Sequence, residues 1–78
     1  MNRIINLVRI TDMKNFVRHC GNYEAKITVE KDGFVVDAKS ILGVLSIGDL
    51  SQITVRYHAE GKEASDFFID LNRVLLGE

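Results

Sequence analysis

The 78-residue chain contains no proline, no tryptophan and a single cysteine, Cys20. Without proline, no stretch has the composition of a rigid linker, and we expect one domain over residues 1–78. One cysteine cannot form an internal disulfide or supply the thiolate cluster of a zinc site, so we expect no metal and no cofactor. This cysteine usage is typical of a reducing compartment, and we expect a cytoplasmic protein.

An excess of charge of one sign is also missing. The formal net charge is −1, whereas a nucleic-acid groove needs clustered Lys and Arg to displace counterions. The apolar start, MNRIINLVRI, is interrupted by Arg3, Asn6 and Arg9, too often for a signal-peptide core. No stretch approaches the ~18 apolar residues of a membrane span. We therefore expect a soluble protein that contacts neither nucleic acid nor membrane directly.

Hydrophobic periodicity predicts four strands and three helices. Met13, Phe16, Val17 and Cys20 recur at the spacing of one helical face, and Asp32-Gly33 is a hairpin signal between two alternating segments. The predicted elements are, in order, a buried strand at 3–10, a helix capped by Thr11 or Asp12 and stopped by Gly21, strands at 24–30 and 34–38, a short helix after Ser40, a strand at 52–58 and a helix at 63–77.

This order, βαββαβα, predicts an α+β fold of the open-faced β-sandwich type. The last helix carries Ala64, Phe67, Phe68 and Leu71 on one apolar stripe, which indicates that it packs on a sheet. Each alternating strand has one polar face, as expected when one side of a sheet is solvated. We therefore expect a four-stranded antiparallel sheet with three helices on one face.

The short helix after Ser40 has an unusual composition. A serine directly before an apolar helical run is an N-cap, worth about 1 kcal/mol, and Gly43 inside the run costs up to about 1 kcal/mol relative to alanine. Five apolar residues surround most of this helix, with Val44 and Ile47 near one direction of the helical wheel. One short helix cannot bury all five against a sheet, so we expect the others to form an exposed docking surface.

The segment AKSILGVLSIG, followed by a strand and an amphipathic helix, resembles the regulatory segment of HPr, the histidine phosphocarrier of the bacterial sugar phosphotransferase system. The similarity in element order extends from about Ile4 to Leu76. In HPr proteins of many Gram-positive bacteria, the serine at the position of Ser40 is phosphorylated by an ATP-dependent kinase. The apolar residues after it dock enzyme I, sugar permeases and a transcriptional regulator. The resemblance implies Ser40 as a phosphorylation site and, as a partner-binding surface, Lys39, Ile41, Leu42 and Leu45.

The chain departs from this family at the phosphocarrier histidine. HPr carries a G-[IL]-H-A-R-P-A motif where its first strand meets its first helix, and counting back from Ser40 places Arg9 at the histidine. Ile10, Thr11 and Asp12 then replace Ala-Arg-Pro. Arginine stays protonated and is a poor nucleophile, so the sequence predicts no catalytic residue and no enzymatic activity.

The two histidines of the chain lie elsewhere. His19 is predicted on the polar, solvated face of the first helix, and His58 on the open face of the sheet. Cys20 is expected to pack in the core as a small apolar residue. Ile69 and Leu76 lie beside the main stripe of the last helix, either as a weak dimer contact or as ordinary exposed aliphatics.

Three functions remain open from the sequence. The favoured one is a non-enzymatic, HPr-like regulatory or adaptor protein, monomeric or weakly dimeric, whose partners include a serine kinase, phosphotransferase-system components or a transcriptional regulator. The second is a working phosphocarrier that uses a non-standard residue. The third is an HPr-shaped structural or dimerisation module in which Ser40 is only a helix cap.

Overall fold

A computed structural model describes residues 1–76 of the chain. Its elements follow the predicted order βαββαβα. Their bounds are β1 Asn2–Ile5, α1 Ile10–Gly21, β2 Ile27–Lys31, β3 Phe34–Asp37, α2 Ile41–Leu45, β4 Ile53–Tyr57 and α3 Lys62–Leu75. Gly77, the last residue of the predicted final helix, lies outside the described residues.

The four strands form one antiparallel sheet in the order β1-β4-β2-β3. Alternation along the strands sets the two faces, since Ile27, Val29, Ile53 and Val55 are buried while neighbouring polar residues point to the open side. The helices pack over the apolar face, and α1 contacts α3. The predicted α+β open-faced sandwich is confirmed.

An aromatic cluster between the sheet and the helices forms the centre of the core. Phe67 of α3 is fully buried, and its ring centroid lies 4.9 Å from that of His19, 5.1 Å from Tyr23 and 5.2 Å from Tyr57. Tyr57 donates its hydroxyl to Glu63 at 2.5 Å, which satisfies its polar end. Side chains from α1, α3 and β4 therefore meet at one residue, and Phe67 holds the helical layer on the sheet.

The hairpin between β2 and β3 uses a tight two-residue turn. Asp32 and Gly33 adopt φ values of 50° and 86°, the left-handed conformations that a type I′ turn requires at both positions. Glycine reaches this region without strain, and aspartate tolerates it better than most residues. The turn fixes the pairing of Lys31 with Phe34, as the sequence predicts.

The first strand differs from the prediction in length and burial. It ends at Ile5 rather than at residue 10 and lies at the sheet edge, where its residues are mostly exposed. Beyond it, the Leu7 N–H bonds to the Leu50 carbonyl at 3.0 Å instead of to a strand. The apolar run was wrongly predicted as a buried strand because edge position depends on long-range topology.

The start of α1 also differs from the prediction. Its N-cap is Arg9, not Thr11 or Asp12, and the helix ends at Gly21 as expected. Asp12 instead lies in the first turn. None of the helices within residues 1–76 combines the length and the apolar character needed to cross a bilayer.

Candidate functional site

The helix α2 is anchored by its cap and by one side chain. Ser40 Oγ accepts a hydrogen bond from the Gly43 N–H at 3.0 Å, so the serine caps the helix as predicted. Val44 is fully buried, and Ile47 packs partly against the core. Val44 and Ile47 therefore take the inward direction expected from the helical wheel.

The remaining apolar residues of α2 face solvent. Leu42 is 76% exposed, Leu45 49% and Ile41 39%. Leu45 lies three and four residues after Leu42 and Ile41, the spacing that places side chains next to each other on a helix. The predicted docking residues thus form a continuous apolar surface, while the binding of a partner to it stays a prediction.

Two further exposed apolar residues, which the sequence prediction missed, lie beside this surface. Val8 and Ile10 are both exposed at the entry to α1, and they line the same concave region as Leu45 and Leu50. We call Val8, Ile10, Ile41, Leu42 and Leu45 the apolar patch. No clear signal for the first two is present in the sequence, because arginine is not a typical N-cap residue and the apolar run is equally typical of a strand.

Gly43 lies against the capping serine. A Cβ at this position would lie 3.3 Å from both Cβ and Oγ of Ser40, closer than ordinary contacts. The absence of a side chain therefore allows the first turn of α2 to close on its cap. This contact explains a glycine in a helix interior, where it is otherwise unfavourable.

Lys39 is partly buried and does not point freely into solvent. Its amine donates to the backbone carbonyl of Tyr23, just after the end of α1. This bond fixes α2 relative to α1, and a cation near the end of a helix is also favourable for the helix dipole. Lys39 thus has a structural contact, and its predicted role in partner binding remains a prediction.

The start of α1 holds an ion pair. The Asp12 carboxylate accepts the Arg9 backbone N–H at 3.0 Å and the Arg9 guanidinium at 3.0 Å. The hydrogen bond from the Arg9 side chain, followed by that from its backbone, lowers the pKa of the Asp12 carboxyl from its ordinary value. The same pair raises the pKa of Arg9. A fixed carboxylate therefore accepts hydrogen bonds from both the backbone and the side chain of the N-cap residue of this helix.

A sequence profile described as "PTS HPr component phosphorylation site" matches residues 13–75. The chain belongs to the HPr family. The match begins at Met13, so Arg9 and Asp12 precede it. Members of this family are phosphocarriers or regulators rather than classical enzymes, and the family relates the chain to the phosphotransferase system.

A curated relative is the HPr-like protein Crh of Halalkalibacterium halodurans, which is 35% identical over 51 residues. The match covers 65% of this chain and 61% of that relative, less than two thirds of its length. Among solved structures, HPr-C-His of Thermoanaerobacter tengcongensis is 27% identical with a TM-score of 0.73, covering 100% of this chain and 97% of that chain. The structure of an HPr dimer from the same organism is 34% identical with a TM-score of 0.65, covering 91% of this chain and 85% of that chain.

Neither histidine of this HPr-family chain lies at the start of α1. His19 is only 7% exposed, its Nε2 lies 3.0 Å from the Phe67 carbonyl, and its ring stacks on Phe67. The prediction that His19 is solvated is wrong, because Phe67 of α3 and Tyr23 cover that side of α1. His58 is exposed on the open sheet face, as predicted, with Nε2 2.8 Å from Thr28 Oγ1.

Cysteine and metal chemistry find no support in the described part of the chain. Cys20 is fully buried, and burial raises the pKa of its thiol to about 12, so the reactive thiolate is not formed near neutral pH. The predicted packing role of Cys20 is confirmed. Residues 1–76 contain no cluster of three His, Cys, Asp or Glu side chains that could hold a metal ion.

The Arg9–Asp12 pair leads to a prediction on acid stability. A carboxyl whose folded pKa is depressed stabilises the fold above its ordinary pKa, near 4, and that contribution is lost as the pH falls through the folded value. We expect Asp12→Asn to be less stable than wild type at neutral pH and to lose less stability on acidification. Urea unfolding between about pH 3 and pH 7 measures the stability at neutral pH and its change on acidification.

The matched variant for this experiment is Arg9→Gln, which removes the guanidinium, the largest cause of the pKa shift, and keeps the carboxylate and its hydrogen bond from the backbone N–H of residue 9. Like Asp12→Asn, it is expected to reduce the loss of unfolding free energy that accompanies acidification. Parallel stability curves for all three proteins would show that the ion pair does not stabilise the folded state.

Proposed function

We propose that this HPr-family protein is a non-catalytic regulatory adaptor that binds protein partners through the apolar patch and is switched by phosphate on Ser40. The observation that carries the proposal is the division of α2 into one buried anchor, Val44, and exposed neighbours, Leu42 and Leu45. A surface helix that needed only stability would carry polar residues at those exposed positions. The cost in solubility is offset when a partner covers them.

The patch has the composition of the centre of a protein–protein interface. Its five large aliphatic side chains come from two segments, the entry to α1 and α2, and full burial of one such side chain contributes about 1.5–3 kcal/mol. Charged residues lie at its rim, with Arg9 between Val8 and Ile10. By the resemblance to HPr, the partners are enzyme I, sugar permeases or a transcriptional regulator, together with a serine kinase.

Ser40 is placed so that a phosphate would change this surface. Its hydroxyl lies at the edge of the patch, directly before Ile41, and contacts the Gly43 N–H. A phosphate adds about 1.5–2 negative charges at neutral pH. Such a charge beside an apolar contact weakens the binding of an apolar or acidic partner and strengthens the binding of a basic one. This difference is the basis of the proposed switch.

Loss of the ordinary carrier chemistry is the second part of the proposal. Counting back from Ser40 puts Arg9 at the position of the carrier histidine of HPr, and the Arg9 guanidinium is held by Asp12. The Asp12 carboxylate also places a negative charge where a phosphate would have to approach α1, which costs Coulomb energy. Phosphorylation of this segment is therefore disfavoured by both the side chain and its surroundings.

Incubation with purified HPr kinase and ATP tests the switch. We expect one phosphate per wild-type molecule and none on Ser40→Ala, as measured by intact-protein mass spectrometry and peptide mapping. Ser40→Ala also loses the cap and about 1 kcal/mol of stability, so its folding is checked by circular dichroism. Unlabelled wild type, or equal labelling of Ser40→Ala, contradicts the proposal.

Ser40→Asp separates signalling from capping, because aspartate also caps helices. The adaptor function predicts near wild-type stability and changed partner binding for this variant. A structural or dimerisation module, the other non-catalytic candidate, predicts unchanged binding. A pull-down from cell extract with wild type and Leu45→Asp identifies the partner that the patch binds.

A carrier role with a non-standard residue is the alternative, and His58 is the exposed imidazole of the chain. Transfer of phosphate from phosphoenolpyruvate through enzyme I, lost in His58→Ala, would establish it. His19 is a weaker candidate because its ring is buried and held by the Phe67 carbonyl.

A further inference from the structure

The edge strand β3 exposes apolar side chains that the proposed function does not use. Phe34 is 69% and Val35 60% exposed, and the strand has only β2 as a neighbour. Edge strands that stay unpaired usually carry proline, lysine or a bulge that blocks further pairing. The strand is short and ends in the charged Asp37, two features that also limit pairing. Phe34, Val35 and Val36, however, carry no charge, proline or bulge, so the central part of β3 is open to another strand.

The hydrogen-bond pattern shows which backbone groups are available at this edge. The Ala38 N–H bonds to the Ile27 carbonyl at 3.0 Å, and Val36 is paired with Val29 in the same register. Because antiparallel ladders alternate, Val36 directs its N–H and C=O toward β2, whereas Val35 and Asp37 direct theirs outward. The Asp37 carbonyl accepts the Ser40 N–H at 3.1 Å, so pairing can extend only over the centre of the strand.

These groups are self-complementary about Val35. In an antiparallel pair centred there, Val35 of each copy would exchange two backbone hydrogen bonds with the other, and Phe34 would lie opposite Val36. Centring the pair on Val36 needs the Asp37 carbonyl, which already has a partner. Centring it on Asp37 places two carboxylates face to face, which is destabilising. One register therefore satisfies both the backbone groups and the charges.

We propose that the partner of this edge is a second copy of the chain, and that two molecules join β3 to β3 in a continuous sheet twice as wide. The contact is centred on a two-fold axis at Val35, so each copy contributes the same residues, as in most homodimers. The strand has four residues, and the interface falls in the small, weak class. We expect association only at high protein concentration.

Sedimentation equilibrium up to about 1 mM protein tests the dimer, with Val35→Lys and Val35→Pro as variants. The Val35 N–H points away from β2, so proline there removes the outward donor without removing a bond inside the sheet. Both variants are expected to raise the dissociation constant at least tenfold. Far-ultraviolet circular dichroism and thermal unfolding confirm that each variant remains folded.

The matched control is Ile4→Lys, at an exposed position on the opposite edge strand β1. It is expected to dimerise like wild type. A wild type that stays monomeric at the highest concentration overturns the proposal. Dissociation caused by Ile4→Lys but not by the Val35 variants also overturns it and assigns the contact to β1.

Discussion

Leu42→Asp is expected to weaken binding of the partner at least 100-fold, about 2.7 kcal/mol, while the free energy of unfolding stays within about 0.5 kcal/mol of wild type. Leu42 is the most exposed residue of α2, at 76%, so its replacement disturbs no packing. In a complex, however, an aspartate at the centre of an apolar contact would be buried without a counter-charge. Titration calorimetry with purified enzyme I, or with the protein captured by the pull-down, measures the loss.

Val44→Ala is the control that reverses this pattern. Val44 lies in the same helix but is fully buried, so its truncation is expected to cost roughly 2 kcal/mol of stability and to leave affinity nearly unchanged. Unchanged affinity of Leu42→Asp would contradict the docking role of the patch. Equal loss of affinity in both variants would attribute the effect to α2 folding instead of to its surface.

Phe67→Ala is expected to cost about 3–5 kcal/mol of stability. A domain of this size has only about 4–10 kcal/mol in total. The ring lies at centroid distances of 4.9–5.2 Å from His19, Tyr23, Tyr57 and Phe68, and its removal is expected to leave a cavity among them. Urea unfolding followed by circular dichroism gives the change.

Ile69→Ala is the control for this substitution, since Ile69 lies two residues away in α3 and is exposed. It is expected to change stability by no more than about 0.5 kcal/mol. Phe67→Ala with near wild-type stability would show that the aromatic cluster does not hold the helical layer. Retained stability would also remove the explanation for the burial of His19.

The fold was predictable because its signals are local. The alternation of Ile27 and Val29 with polar residues, the Asp32-Gly33 turn and the apolar stripe of α3 each indicate one element, and their order indicates the sandwich. The length of β1 was not predictable in this way. Ile4 is apolar and β-branched, yet it is exposed because the topology places β1 at the edge of the sheet.

The candidate site was only partly predictable, for a similar reason. The helical wheel of α2 places Val44 on a different side of the helix from Leu42 and Leu45, without any tertiary information. The proximity of Val8 to Leu45 depends on how the loop before α1 folds back toward α2. His19 illustrates the same limit, because the residue that covers it, Phe67, lies 48 positions later in the chain.

The most direct measurement offers the protein two phosphate donors in parallel, phosphoenolpyruvate with enzyme I and ATP with HPr kinase, and records intact mass. We predict that the mass of one phosphate is gained only in the kinase reaction, on Ser40. A gain of phosphate from phosphoenolpyruvate would contradict the proposal that this protein is a regulatory adaptor without a carrier histidine. The absence of phosphate in both reactions would contradict the proposal that Ser40 is its switch.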